Sequence, residues 1–385
     1  MDKARIGVIG VGSMGRKHCS CLTNGEIPNA KLTAIRYTRA ESLDWAQANL
    51  PNSVSLYDSD HAFFNSGKMD GVIVAAQHYF HPPLVKKAID HGYHVLCEKP
   101  AGVYTKHVRK MNEAADRSGS VFGLVFDWRT WPIYQKVKEL IDNHEIGELK
   151  SNVFITTDWY RPQSYYDSGG WRATWAGEGG GILLNQASHH IDLWQWICGL
   201  PSRVRSICNF SKYHDIEVED DVVIYADYPG GATGVFITST GLTPGTTRWE
   251  ITGNEGKIVV ENGKISLWRL SIPERQFNRE YRGFKAKPES AFIEVPYSQE
   301  TPSKFKGIIS NWIEAIISGT DNVPLLAPGS EGIKSLEIIN AAYLSSWEDR
   351  QVEIPVDEDV YLQKLREKID TTGKKSPAFD GSMVQ

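Results

Sequence analysis

The segment Arg5-Ile-Gly-Val-Ile-Gly10-Val-Gly12-Ser13-Met14-Gly15 restricts the possible folds of this chain more than any other. A short apolar run passes straight into three glycines spaced Gly-x-Gly-x-x-Gly, and a helix is expected from about Met14 to Thr23. That context reads as a buried strand, a tight turn and a helix N-terminus, the arrangement that holds a dinucleotide pyrophosphate. Gly10 permits the turn, Gly12 lets backbone N–H groups approach the phosphates, and Gly15 allows the helix to pack closely on the strand. Ser13 and Met14 open the helix beside the same phosphates. A strand–turn–helix whose glycines serve geometry alone is the competing reading.

The next hundred residues keep one rhythm. Strands are expected at 31–36, 71–76, 93–97 and 121–126, with helices near 41–49, 82–90 and 105–117. Pro82 and Pro83 suit a helical first turn, and Thr105 is positioned to cap the helix that follows it. Short links between alternating strands and helices imply a parallel, doubly wound α/β sheet with right-handed crossovers, assigned to residues 1–125. From residue 126 the rhythm changes. A helix at 132–143, a long strand at 149–159 and a helix at 186–198 precede strands at 203–210, 221–228, 231–240, 247–253, 257–261 and 265–269. Strands in such close succession form an antiparallel meander, so 126–355 reads as a second, α+β domain. Helices at 305–317 and 332–347 are expected to pack on one of the two domains. Residues 356–385 are expected to form an exposed polar C-terminal tail.

Composition removes several classes of function. Lys and Arg number 42 against 47 Asp and Glu, a net charge of −5, and no basic run reaches five residues. A nucleic-acid partner is therefore not expected. Apolar stretches such as 72–76 fall far short of the ~20 residues of a membrane span. The five cysteines, Cys19, Cys21, Cys97, Cys198 and Cys208, include no CxxC pair and lie mostly in apolar patterns. They read as reduced thiols, and no metal site is expected. Glycine-rich structure begins by Gly7, so no secretory leader is expected and the location reads as cytoplasmic.

The end of the second strand selects between cofactors. A free ribose 2′-hydroxyl calls for Asp or Glu there. Here the stretch Ile35-Arg36-Tyr37-Thr38-Arg39 holds no acid before Glu41. Arg36, Thr38 and Arg39 would suit a 2′-phosphate, so NAD or NADP is expected with NADP favoured. Solvated loop charge is the alternative for the two arginines.

Cys97-Glu98-Lys99-Pro100, at the end of a strand, resembles the Glu-Lys-Pro signature of the glucose–fructose oxidoreductase/inositol dehydrogenase/MocA (Gfo/Idh/MocA) family. The stretch from Gly179-Gly180-Gly181 through Asn185 and His189 to Asp192 resembles that family's second signature. Phe126-Asp-Trp-Arg129 and the segments around Arg161 and Trp171-Arg172 resemble one subgroup, and the likeness spans roughly residues 4–355. It implies an N-terminal Rossmann domain, a C-terminal open antiparallel sheet domain, a nicotinamide cofactor, a sugar or cyclitol substrate, and a homodimer or homotetramer. One departure stands out. The family's usual aspartate four residues before the histidine is Asn185 here, which can hydrogen-bond a hydroxyl but neither carries charge nor takes a proton.

Hydride chemistry on an alcohol needs a base for the hydroxyl proton and a charge opposite the developing alkoxide. His189 suits the first role and Lys99, at the carboxyl end of a parallel strand, the second. The Lys99–Pro100 bond is open to cis geometry. Asn185, four residues before His189, would share its helix face and touch the same carbon–oxygen group, and Asp192 would orient the imidazole. Ala76, His78 and His81 follow the strand at 71–76, where a nicotinamide ribose would run, and Glu98 and Lys99 border the same edge. The aromatic stretch 159–175 reads as a carbohydrate-facing lid contacted through Tyr160, Arg161, Trp171 and Arg172, with Arg129 reaching the same cleft. An aromatic plug holding the loop on the sheet is the alternative. The expected activity is oxidation of a ring hydroxyl to a ketone by an NAD(P)-dependent dehydrogenase. Redox-neutral elimination through a transient keto-sugar, or a non-catalytic NADP-binding sensor, remains open.

Overall fold

The computed structural model describes residues 3–300 and 304–372, which build two sheets. In the first, β1 (Ala4–Ile9), β2 (Ala30–Arg36), β3 (Ser55–Tyr57), β4 (Gly71–Val74), β5 (His94–Cys97) and β6 (Phe122–Leu124) are all parallel. Their order is β3-β2-β1-β4-β5-β6. Between them run α1 (Ser13–Thr23), α2 (Ala40–Asn49), α3 (Asp60–Phe64), α4 (His81–Asp90) and α5 (Thr105–Asp116). β1 and β4 are almost wholly buried, as expected where helices cover both faces. The strand order reverses between β1 and β4, and a doubly wound sheet binds ligands outside the carboxyl ends of its strands at that point. β3 and α3 escaped the sequence reading because three and five residues are too short to show a period.

Thr105 does not cap α5. It is the first helical residue, and its N–H instead donates to Asn340 Oδ1 at 3.1 Å, while Asn340 Nδ2 donates to the Val103 carbonyl at 3.0 Å. Asn340 belongs to a much later helix, so the cap comes from across the molecule and ties down the loop that follows Pro100.

After α6 (Pro132–Asp142) come β7 (Leu149–Thr156), α7 (Gln163–Asp167), α8 (Ser188–Cys198), β8 (Arg203–Phe210), β9 (Glu219–Asp227), β10 (Thr233–Ser239), β11 (Thr247–Gly253), β12 (Gly256–Glu261) and β13 (Lys264–Leu270). α9 (Glu274–Glu280), β14 (Ser290–Val295), α10 (Phe305–Ser318), α11 (Gly332–Glu348), β15 (Val352–Glu353) and α12 (Glu358–Thr372) complete the described chain. Among the described residues the second sheet has nine strands, ordered β14-β13-β12-β11-β7-β10-β9-β8-β15. Its neighbours are antiparallel except β7 and β10, which run parallel. The expected meander is thus interrupted once. After β7 the chain crosses through α8, places β8 and β9 beyond the gap, and returns as β10 to fill it. The strands of this sheet alternate buried and open positions, the mark of a sheet covered on one face. Stacked pairs Phe154–Trp249 and Trp194–Phe236 fill the covered side.

The two late helices serve both sheets. Trp312 of α10 donates from Nε1 to the Val121 carbonyl at 3.1 Å beside β6, while α11 packs on β8 and α5. The expected polar tail begins as a packed helix: Tyr361 and Leu365 of α12 are fully buried, with Tyr361 stacked on Trp347. Residues 373–385 of that tail lie outside the described residues. Among the described residues no helix is long and apolar enough to cross a membrane.

Candidate active site

The glycine turn is built as its spacing requires. Gly10 has φ +93°, and a Cβ there would sit 2.6 Å from the Ala75 backbone; at Gly15 it would sit 1.9 Å from the Gly10 carbonyl oxygen. At Gly12 a Cβ would meet nothing within 4 Å. Two glycines are thus demanded by packing, and the third faces open space at the start of α1. No side chain caps that helix, so its first N–H groups remain available to a phosphate. Ser13 and Met14 stand at the same end. These residues fit a dinucleotide.

The ribose end differs from expectation at one position. Arg36 Nε lies 2.8 Å from Asp60 Oδ1, and Asp60 also pairs with Lys87, so Arg36 is engaged within the sheet's own helices. Thr38 and Arg39 are exposed.

Lys99 leaves the carboxyl end of β5 through a cis Lys99–Pro100 bond. Its Nζ donates to the Asn185 main-chain carbonyl at 2.7 Å and to Asn185 Oδ1 at 3.3 Å. Burial, and the nearby Arg172 guanidinium, lower the Lys99 pKa, while Glu98, Asp127 and Glu178 oppose them. Glu98 is itself pinned by His18 Nε2 at 2.7 Å. Burial would raise its carboxyl pKa, but that bond and the cationic neighbours hold it below the usual range.

His189 opens α8. Burial drives its pKa well below the ordinary value, and the charges of Lys99 and His190 push the same way. The imidazole is therefore neutral at neutral pH and close enough to Lys99 to feel its charge. It stacks on Trp128, with ring centroids 5.7 Å apart. Its enclosed Nδ1 faces Asp127 Oδ1 at 3.4 Å, which leaves Nε2 for an incoming hydroxyl. The Asp127 carboxyl is pushed up to about 6, chiefly by burial and next by the Glu98 charge. Asp127, not Asp192, is the carboxyl facing the imidazole.

Asp192 is committed elsewhere. It binds Arg129 through two hydrogen bonds, Nε at 2.8 Å and Nη2 at 2.7 Å, and Arg129 Nη1 also meets Glu331 and the Leu326 carbonyl. Arg129 is 1% exposed. Its guanidinium is spent on a buried ion-pair network and does not reach the cleft, because a buried guanidinium needs all its donors satisfied. Asn185 also differs from expectation. It precedes α8, whose first residue is Ser188, so it shares no helix face with His189 and meets Lys99 from a turn instead.

His78 and His81 hold backbone. His78 Nδ1 donates to the Glu178 carbonyl at 2.9 Å, and the two ring nitrogens of His81 lie on the Pro100 and Ala76 carbonyls at 2.7 and 2.9 Å. His81 thereby pins the Glu-Lys-Pro turn to the end of β4. The aromatic stretch divides. Trp175 is a plug, 1% exposed and packed on Tyr343 and Trp347. Nearer the cleft, the Arg172 guanidinium lies between the Trp171 and Tyr165 rings, 4.7 and 4.8 Å from their centroids. Arg161 covers Trp159 and Tyr165, and Tyr160 is 46% exposed at the outer end. Asp127, Glu178 and Tyr165 join Lys99, Asn185 and His189 here without having been singled out in the sequence. Only the neighbourhood of Asp127 to Arg129, and of Glu178 to the glycine run, hinted at them. Among the described residues no group of three or more His, Cys, Asp or Glu is arranged to hold a metal ion.

Comparison with known proteins gives concordant matches to each sheet region. Residues 4–126 match the oxidoreductase family with an NAD-binding Rossmann fold, and residues 134–259 match the GFO/IDH/MocA C-terminal domain. Myo-inositol 2-dehydrogenase of Thermotoga maritima is 26% identical over 86% of this chain and 96% of its own length. The WlbA dehydrogenase of Bordetella pertussis, solved with NADH and UDP-GlcNAcA, has a TM-score of 0.76 at 24% identity, covering 92% of this chain and 100% of that one. Levoglucosan dehydrogenase, solved with NADH and levoglucosan, has a TM-score of 0.74 at 18% identity, covering 92% and 100%. At such identities the structural likeness is one of fold.

Proposed function

This chain belongs to the GFO/IDH/MocA oxidoreductase family, with its NAD-binding Rossmann fold, and from that premise we propose an NAD(P)-dependent dehydrogenase that oxidises a ring hydroxyl of a sugar, sugar derivative or cyclitol to a ketone. The observation that carries this reading is that Lys99, held by Asn185 at the carboxyl end of β5, lies close enough to His189 of α8 for its charge to act on the imidazole. The inositol and levoglucosan dehydrogenases among its relatives support the substrate class.

When bound, the nicotinamide supplies the hydride acceptor. Gly10, Gly12, Ser13, Met14 and Gly15 would hold the pyrophosphate, and Ala76, Glu98 and Lys99 border the place for the nicotinamide end. His189 Nε2 takes the hydroxyl proton, and Asp127 sits opposite the charge the ring then carries. The Lys99 ammonium, already held by two oxygens of Asn185, faces the developing alkoxide. Trp171, Arg172, Arg161 and Tyr160 offer aromatic faces and donors to a polyhydroxylated ring.

With no carboxylate at the end of β2 and with Arg39 exposed, we favour NADP over NAD. A panel of sugars and cyclitols followed at the nicotinamide absorbance tests both points. Net NAD(P)H formation is expected, with a higher kcat/KM for NADP that falls about tenfold in R39A, the scale of one charge-assisted contact. A bound cofactor that turns over substrate without ever accumulating in reduced form would sink the net-oxidation reading in favour of redox-neutral elimination.

We also propose a homo-oligomer paired through the open face of the second sheet. Ile207, Val223 and Tyr225 lie exposed there in adjacent strands, at 63, 38 and 41%. Light scattering is expected to give at least twice the chain mass, and a single monomeric species at micromolar concentration would rule the pairing out.

A further inference from the structure

Glu178 is a buried acid that the reaction described above does not use. It is 2% exposed, and its two oxygens serve different partners: Oε1 accepts from Asn185 Nδ2, and Oε2 accepts from the Ala173 N–H at 2.6 Å. An amide that gives its nitrogen to a carboxylate turns its oxygen the other way. Asn185 Oδ1 accordingly faces Lys99 Nζ. The Tyr165 hydroxyl, 3.4 Å from Asn185 Nδ2 and bonded to Arg172 at 2.9 Å, closes the remaining side. Glu178, Asn185 and Lys99 therefore form one line of polar contacts, in which only the middle member lacks charge.

Resting on the dehydrogenase reading, we propose that Glu178 is a positioning residue: it fixes the Asn185 amide and supplies, through it, the negative charge opposite Lys99. The charge absent at position 185 is thereby provided by the side chain behind it.

The hydrogen-bond chemistry gives a charge-swap test. In E178Q the side chain has one acceptor oxygen instead of two. If the glutamine oxygen stays on the Ala173 N–H, its amide nitrogen meets Asn185 Nδ2, donor against donor. The Asn185 amide then turns over and presents its own donors to the Lys99 ammonium. In N185D two carboxyl groups are in hydrogen-bond contact and must share a proton. In E178Q/N185D every group has a partner again. The introduced glutamine accepts from the Ala173 N–H and donates to the introduced aspartate, whose free oxygen faces Lys99.

Each single variant is expected to lose tenfold or more in kcat, with dinucleotide affinity unchanged, and the double variant to recover to within about threefold of wild type. E178Q within twofold of wild type overturns the proposal, and so does a double variant no better than the worse single one. Melting temperature supplies a readout that needs no substrate. The shared proton in N185D puts a folded carboxyl pKa above its unfolded value. The stability it gives is complete in acid and is lost as pH rises through the folded value. Burial raises the Glu178 carboxyl pKa, the Ala173 N–H, Arg172, the Asn185 amide and Lys99 favour its ionised form, and His78 binds the Glu178 main chain. N185D is expected to melt progressively below wild type from pH 5 to 8, and the double variant is not. Parallel pH dependence in N185D and wild type overturns the contact itself. That outcome is distinct from failure to find any oxidised sugar, which would strike only the dehydrogenase reading.

Discussion

Replacing Lys99 by alanine is expected to lower kcat by about 10²–10³-fold, the scale of losing one preorganised donor at a developing oxyanion. The residue stands where the parallel sheet ends, and its ammonium is aimed rather than free, since both oxygens of Asn185 hold Nζ. Burial makes it cheaper for the protein to lose that proton than in water, so the ammonium is held charged by Glu98, Asp127 and Glu178 together. Alanine removes the charge while leaving the glycine turn untouched. Dinucleotide titration, read by fluorescence, should therefore change only a few-fold, and melting at neutral pH should remain cooperative. Initial rates on a good substrate decide the matter. If kcat of K99A stays within twofold of wild type, Lys99 has no part in the chemistry.

Features that depend on neighbours in the chain were legible. The Gly10, Gly12 and Gly15 spacing specified the turn, because Gly10 and Gly15 each answer to a contact within the same strand–turn–helix unit or beside the adjoining strand, while Gly12 faces open space. Lys99 and His189 were legible through motifs that fix their place at a strand end and a helix start. What the chain brings together from afar was not. Asp192 lies three residues from His189 and so invited a role beside it, but a buried guanidinium 63 positions earlier claims both its oxygens. Asp127 takes the place beside the imidazole from the short 3-10 helix after β6, and apart from its closeness to Arg129 nothing in its local pattern announces that. The same applies to Arg36, drawn to Asp60, and to Thr105, whose capping role passes to Asn340 in α11. Local periodicity gives the faces of elements, whereas the partner of a charged side chain is settled by which elements the sheet order makes adjacent. The parallel pairing of β7 and β10 belongs to the same class, since it depends on where α8 carries the chain rather than on either strand's residues.

The pH dependence of turnover should carry the signature of Asp127. In the oxidative direction His189 must accept a proton, and its buried ring is reluctant to do so, its pKa being held well down by burial, Lys99 and His190. An ionised Asp127 at 3.4 Å from Nδ1 offsets that reluctance, and a protonated one does not. Because burial and Glu98 push the Asp127 carboxyl up to about 6, the sign follows: kcat rises as pH climbs through about 6 and levels above it. His189 itself does not set this limb, since burial, Lys99 and His190 hold its pKa well below the ordinary imidazole value. The alkaline limb belongs to Lys99, whose lowered pKa brings loss of the ammonium below the usual lysine range. H189A is expected to cost about 10²–10⁴-fold in kcat across all pH values, as removal of a general base does. D127N should cost less, about tenfold on the plateau, and should flatten the acid limb, because asparagine keeps the shape but has nothing to ionise. Profiles from pH 5 to 10 for wild type and D127N separate the roles. A D127N profile that keeps its acid limb near 6 would show that another group sets it, and the imidazole would then lack the carboxylate support assigned to it here.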